Sequence, residues 1–283
     1  MSRIICFLLA AVMIFSLPGP MTTEAAAETK MKASKECIQL IKDFEGFLEK
    51  PVYDFSHYSV GYGTACDKDD YPDGISEREA EKLLRKGIAK IEWTLNRFIS
   101  ENDISLEQQQ FDALVSFTFN VGASWMNKET VIRSAVINGA KGNDFIYAIT
   151  MWSSAGGNVR EGLARRRLAE ANVYLNGEYS ITPPENYHYI IFDYNNEHAD
   201  VDVKVQGYDE NKVDRIRLKP KAVGYQFLGW YTEAEGGSGV LKTEHVKGDT
   251  VIYARWKKKS IKKNDDTAPD KDRLVHTELL ETD

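Results

Sequence analysis

The sequence lacks a surplus of positive charge, any long transmembrane-type run and any regular metal-ligand spacing. Its formal net charge is -7 and its isoelectric point is near 5.4. That excludes a sequence-independent nucleic-acid binder, which needs a basic stripe. The small acidic excess is shared by residues 28–178 and 179–283, so neither half is an electrostatic anchor for polyanions. The longest apolar run, residues 4–17, has 14 residues, short of the roughly 20 that span a bilayer. No CxxC or His-rich spacing points to a metal, and the acidic run at Asp67, Lys68, Asp69 and Asp70 lacks the regular spacing of an EF-hand. No cofactor is expected.

What is present is an ordinary globular balance, 42% hydrophobic and 28% charged over 283 residues, enough for two domains. The apolar run follows Arg3 and precedes Pro18-Gly19-Pro20 and the small-residue stretch Ala25–Ala27. This reads as a signal peptide over 1–27, cleaved on export, with a retained anchor as the alternative. The expected location is extracytoplasmic and wall-associated, with no stable membrane span after cleavage. Cys6 leaves with the signal. Cys37 and Cys66 remain, either as a disulfide pair in an oxidising compartment or as free thiols, Cys37 on a helix surface and Cys66 in a loop.

Residues 28–178 read as mostly helical with one small β element. Ser34 caps a helix carrying Ile38, Ile41, Phe44 and Leu48 at helical spacing, stopped at Glu45-Gly46 or shortly after. Residues 52–64 read as strands with a tight turn. Ser76 with Glu79, and Ser105 with Gln108, form capping boxes ahead of two further helices. Helical stretches follow near 129–138, 143–153 and 161–175, the last closed by Asn176-Gly177. After Thr182-Pro183-Pro184 the texture changes. Residues 188–192, 200–206, 213–218, 225–231 and 250–256 read as strands, with a glycine-rich turn at 233–239, giving a β-rich module over 179–257. Residues 258–283 form a polar tail, expected to be disordered. The five lysines between 257 and 263, at the tail's start, are read mainly as solvated charge, with contact to a wall polymer as the alternative. The predicted fold class is therefore α+β: a mainly helical domain with a small hairpin, then a small β-rich domain.

Glu45 lies in the last turn of its helix beside Phe44 and Phe47. The negative end of the helix dipole and apolar neighbours both favour the protonated form that a general acid needs. Asp54 follows at the hairpin with Ser59 beyond it, a pattern that cleavage of a glycosidic bond by two carboxyl groups could use. By itself such a pair is common. His57 is read as an exposed loop residue, and Asp43, Glu49, Asp67, Asp69, Asp70 and Asp73 as mostly solvated charges.

The stretch FEGFLEKPVYDFSHYSVGYGT resembles the active-site signature of the phage-type lysozymes, a Glu, eight residues, an Asp, five residues, then a Thr. Two further stretches match in order: EQQQFDALVSFTFNVGASW and MWSSAGGNVREGLARRRLAEANVY. The resemblance implies a lysozyme fold that cleaves the β-1,4 bond between N-acetylmuramic acid and N-acetylglucosamine in peptidoglycan. It implies Glu45 as proton donor, Asp54 as transition-state stabiliser and Ser59 in the threonine's place at a water. Phe119, Asn120 and Tyr62 would line the sugar cleft. The arginines of the run Arg165–Arg167 would be structural, pairing Glu170 or a helix end. The pattern departs in two ways: serine replaces threonine, and only four residues separate Asp54 from Ser59. Serine is less restricted in rotamer, and a shortened turn could tilt Asp54. The alternatives are a weakened lysozyme fold that binds wall glycan, an endolysin whose N-terminus stays as a releasable anchor, and a chitin-cleaving relative.

The run GYQFLGWYTEAEGGSGVLKTEHVKGDTVIYARWKKK is similar to the Listeria–Bacteroides repeat of bacterial surface proteins, a small β-grasp-like unit. Tyr225, Phe227, Trp230 and Trp256 are expected in its core. The resemblance leaves its role open between wall targeting, a protein contact and a spacer. A monomer is expected, with peptidoglycan strands as its partner.

Overall fold

The computed structural model describes residues 30–54, 57–155 and 158–259. The proposed signal and Cys6, residues 55–56, Gly156-Gly157 and the expected tail from Ser260 onward lie outside them. Lys258 and Lys259, expected in the tail, are described instead, Lys258 as the end of the last strand.

Six helices build the first unit. Helix α1 spans Lys35–Glu45, its N-cap Ser34 accepting from the Cys37 N–H and its C-cap Gly46 at φ 70°. A three-stranded antiparallel sheet follows: β1 Leu48–Asp54, β2 His57–Gly61 and β3 Thr64–Cys66. Helix α2, Glu77–Glu101, starts at the reciprocal capping box of Ser76 and Glu79. Helix α3 is Gln108–Val121, α4 Val131–Ile137, α5 Asn143–Thr150 and α6 Glu161–Asn176, with a short antiparallel pair, β4 Ser154–Ala155 and β5 Asn158–Val159, between α5 and α6. The expected Ser105–Gln108 box is displaced by two residues. Glu107 is the N-cap, its N–H donating to Gln110 Oε1 at 2.9 Å, because a Gln at N3 completes the box just as well from that position.

Helix α6 is buried on every side from Arg166 to Tyr174. It lies against α3 and α5 and is reached by the second unit. A helix surrounded in this way has no polar stripe to show, so its charged residues must find partners inside. Tyr174 stacks on Phe145 of α5 with ring centroids 3.6 Å apart.

The second unit is a five-stranded sheet ordered β7-β6-β10-β8-β9. Strand β6 is Tyr187–Asp193, β7 Val203–Asp209, β8 Tyr225–Tyr231, β9 Gly239–Val240 and β10 Thr250–Lys258. Strand β10 runs parallel to β6 and antiparallel to β8. Two strand expectations need correction. The strand expected at 200–206 begins at Val203, since Asp200 donates instead to the Lys221 carbonyl and the Asp202 carbonyl accepts from Tyr194. Residues 213–218 form no strand beyond one isolated bridge, Arg215 to Lys242. The buried Gln206 amide takes up their backbone groups, donating to the Arg215 carbonyl and accepting from the Arg217 N–H.

The core of this sheet gathers Ile190, Phe192, Tyr194, Tyr208 and Trp230, with Phe227 and Trp256 packed against it. Tyr225 departs from the expected core set: it is half-buried, with its ring stacked on His198.

The two units share a continuous apolar cluster, in which Tyr187, Tyr189 and Val205 join the helical core. Gly207 of β7 lies so close to α5 and α6 that a Cβ there would sit 2.6 Å from Thr150 Cγ2 and 2.9 Å from Leu168 Cδ2. Its N–H donates to Thr150 Oγ1 at 2.7 Å. Only glycine permits that approach. Arg217–Asp144 at 2.7 Å and Arg165–Asp249 at 2.6 Å frame the contact. Among the described residues no helix is long and apolar enough to cross a membrane.

Candidate active site

Glu45 is the last residue of α1, held there because Cys37, Ile38, Leu40 and Ile41 bury the other face of the helix. Its side chain is partly exposed. Oε1 is 2.7 Å from Arg166 Nη1 of α6, and Oε2 faces the β2–β3 turn, 3.8 Å from where a Cβ on Gly63 would sit. Gly63 has φ 82°, so the tight turn and the open space beside the carboxylate both rest on glycine. The Arg166 guanidinium lies over the Phe44 ring, 4.5 Å from its centroid.

Behind Arg166 is a buried charge cluster. Arg166 Nε donates to Glu170 Oε1 at 3.2 Å, and Arg167 Nε lies 2.8 Å from Glu170 Oε2. Ser116 of α3 donates its hydroxyl to Glu170 at 2.8 Å. Burial pulls the Arg167 guanidinium down to about 10, with Glu170 opposing the shift and Arg166 adding to it. Arg167 then reaches outward, donating through Nη2 to Asn120 Oδ1 at 2.8 Å. That bond orients the Asn120 amide and turns its N–H2 into the group left for another partner.

The cluster therefore connects Glu45 on one side with the exposed Asn120 on the other. Phe119 beside it is partly buried against the helical core. Tyr62 does not join them as a cleft residue. It is 3% exposed, its hydroxyl donates to Glu77, and its ring packs on Phe47, so it is a packing residue under the sheet.

The hairpin places the other two expected residues by register. Asp54 ends β1 opposite His57, and Ser59 on β2 faces Val52 and Ala65. Alternation puts positions 52, 54, 57 and 59 on one face of the ladder. Ser59 is buried.

Cys37 and Cys66 are both free, but not where the unpaired reading put them: Cys37 is on the buried face of α1 rather than its surface, and Cys66 ends strand β3 rather than lying in a loop. Cys37 is buried, its thiol donating to the Asp112 carbonyl at 3.4 Å, and burial pushes that thiol well above its ordinary range. The carboxylates Asp43, Glu49, Asp67, Asp69, Asp70 and Asp73 are all exposed. The role of Arg166 as the partner of Glu45 was missed from sequence. The available signal was three consecutive arginines flanked by Leu163, Ala164, Leu168 and Ala169 on a helix, a placement that requires buried counter-charges.

Comparison with known proteins follows this geometry. The phage lysozyme profile matches residues 42–170, and the Listeria-Bacteroides repeat domain matches residues 188–255. The chain is similar to the endolysin of Bacillus phage B103, 34% identical over 152 residues, 52% of this chain and 56% of that protein. It is also similar to the SAR-endolysin of Bacteriophage PS119, 31% identical over 139 residues, 47% of this chain and 78% of that protein. The chain spans about half the length of the Bacillus phage relatives. Among solved structures it is similar to the endolysin from Escherichia coli O157:H7 phage FAHEc1, at 27% identity, 53% of this chain, 97% of that chain and a TM-score of 0.47. With the ordered motifs, the phage lysozyme match and a relative 31% identical and aligned over 78% of its length, the chain belongs to the phage lysozyme family.

Proposed function

We propose that this protein is an exported peptidoglycan hydrolase, a muramidase that cleaves the β-1,4 bond between N-acetylmuramic acid and N-acetylglucosamine. The observation that carries the reading is Glu45, at the end of α1, with one carboxyl oxygen held by Arg166 and the other facing the hairpin turn. Arg166 is itself shared with the buried Glu170, so its charge is divided between two carboxylates. Holding Oε1 leaves Oε2 as the oxygen that carries the proton to the leaving group. Asp54 stabilises the cationic transition state from the hairpin, and the Ser59 hydroxyl helps hold the water. Asn120 offers amide N–H groups to the sugar chain, with Phe119 packed behind it.

Turbidity clearing of purified peptidoglycan by the full chain and by Glu45→Gln tests this. A loss of about 10²–10⁴-fold is expected for the variant, the usual contribution of a general acid. Products should carry new N-acetylmuramic acid reducing ends. Equal and poor clearing by both proteins would instead mark a wall-binding lysozyme fold without activity. Export is tested by sequencing the mature N-terminus, where a start near residue 28 excludes a retained anchor and a start at Met1 excludes cleavage.

A further inference from the structure

The strand unit carries an open groove away from the edge that docks on the helices. Strand β7 takes that docking contact, while the groove lies where β8 begins and β10 ends. Its volume is about 560 Å³, and its lining includes His198, Lys221, Tyr225, Phe227, Trp256 and Lys259. That size falls in the roughly 300–1,000 Å³ range of small-ligand sites.

The aromatic walls are fixed before any ligand arrives. The Trp256 indole N–H donates to the Tyr194 carbonyl at 2.7 Å, and its ring meets Phe227 edge-on at 5.4 Å. Tyr225 lies against His198 with ring centroids 5.5 Å apart and planes 29° apart. Tyr225 is the one residue of the expected aromatic core set that stays outside the core, and it faces this groove. Rigid aromatic faces suit flat, partly apolar rings at little entropic cost. The rim is cationic: Lys221 and Lys259 are exposed, Lys257 and Lys258 lie beside them on β10, and Asp200 is the one lining carboxylate among the described residues. This concentration of lysine stands on a chain of net charge -7.

We infer that this groove binds the glycan strand of peptidoglycan as a second site, sugar rings against Tyr225 and Trp256 and stem carboxylates against Lys221 and Lys259. The choice of ligand rests on the hydrolase reading above. Charge complementarity favours a carboxylate-bearing polymer: Lys221 and Lys259 line the groove against the single carboxylate of Asp200. Acidic and basic side chains balance over the strand unit as a whole, which gives it no surplus of positive charge to hold a dense polyanion such as single-stranded nucleic acid. Because Gly207, Thr150 and the flanking ion pairs fix the sheet to α5 and α6, this site and Glu45 are held in a set relation along the wall.

The test uses the full chain with Glu45→Gln, co-sedimented with purified peptidoglycan stripped of phosphate-bearing polymers. Adding Lys221→Gln with Lys259→Gln, or separately Tyr225→Ala, should weaken half-saturation by about fivefold or more, with the lysine effect lost at high salt. In the otherwise wild-type chain, the same groove substitutions should leave cleavage of short soluble glycan fragments unchanged, which also shows that they fold. Wild-type half-saturation in both groove variants overturns the proposal. So does retention that disappears once phosphate polymers are removed, or equal competition by a single-stranded oligonucleotide. If the unsubstituted chain fails to clear walls while the groove variants lose retention, the hydrolase reading falls and the groove stands. If the unsubstituted chain clears walls and the groove variants bind normally, the reverse holds.

Discussion

The two units solve the problem of an interior in opposite ways. The helical unit surrounds α6 so completely that it buries two arginines and a glutamate, Arg166, Arg167 and Glu170, and must pair them there. The strand unit buries aromatic rings instead, with Phe192, Tyr194 and Phe227 all within 5.6 Å of the Trp230 ring. Its polar handles are answered singly, Trp230 donating to the Leu218 carbonyl and Trp256 to that of Tyr194. Size explains part of the contrast. A module this small has little volume to shield charges and gains most from large apolar rings. The proposed function accounts for the rest. Replacing buried ion pairs by apolar residues often stabilises a protein, so a charge cluster that reaches both Glu45 and Asn120 is better understood as holding a site than as holding a fold.

The sharpest way to break this comparison is Glu170→Gln. It keeps the shape but leaves Arg166 and Arg167 buried without their shared counter-charge, and a loss near the upper end of roughly 3–5 kcal/mol is expected. Denaturant unfolding measures it, and a loss below about 1 kcal/mol would show that the cluster is already well solvated. Trp230→Ala should cost about 3 kcal/mol by cavity formation, and its effect should be insensitive to salt, unlike any charge-based effect. Gly207→Val comes next, at about 1–3 kcal/mol, because its side chain must displace Thr150 and Leu168. Its informative readout is the shape of the melt. With one shared apolar cluster, wild type should unfold in a single transition that splits in this variant; an unchanged single transition would mean that the docking contact does not couple the units. Ser76→Ala is the smallest, about 1 kcal/mol through the lost α2 cap, and should leave wall clearing intact.

Local chemistry was legible from the chain. Ser34, Ser76 with Glu79, Gly46 and Gly177 mark helix ends in the structure at the places where their side chains or positive φ angles require. Strand β8 was found over its observed range, and most of β10, because its Val, Ile, Tyr and Trp residues have few other uses. The misreadings share a cause. Residues 213–218 have strand composition, yet Gln206 and Thr243 claim their backbone groups from elsewhere in the module. Ser105 has cap chemistry, but Glu107 was the better-placed competitor. Tyr62 lies within the matched signature, but its direction depends on what packs beneath the sheet.

What the sequence determined by itself was the inventory: which segments are helices or strands, the order of the lysozyme motifs, and the carboxylate at the end of the first helix. Periodicity, capping and turn residues act within a few positions, so they can be read in one dimension. Only the tertiary structure decided that Arg166, 121 residues from Glu45, holds its carboxylate. Only it showed that Arg165 turns instead to Asp249 of the other unit, and that Gly207 is needed for contact rather than for a turn. Three adjacent arginines on a 3.6-residue helix point in three directions, and which partner each meets is set by the elements packed around that helix.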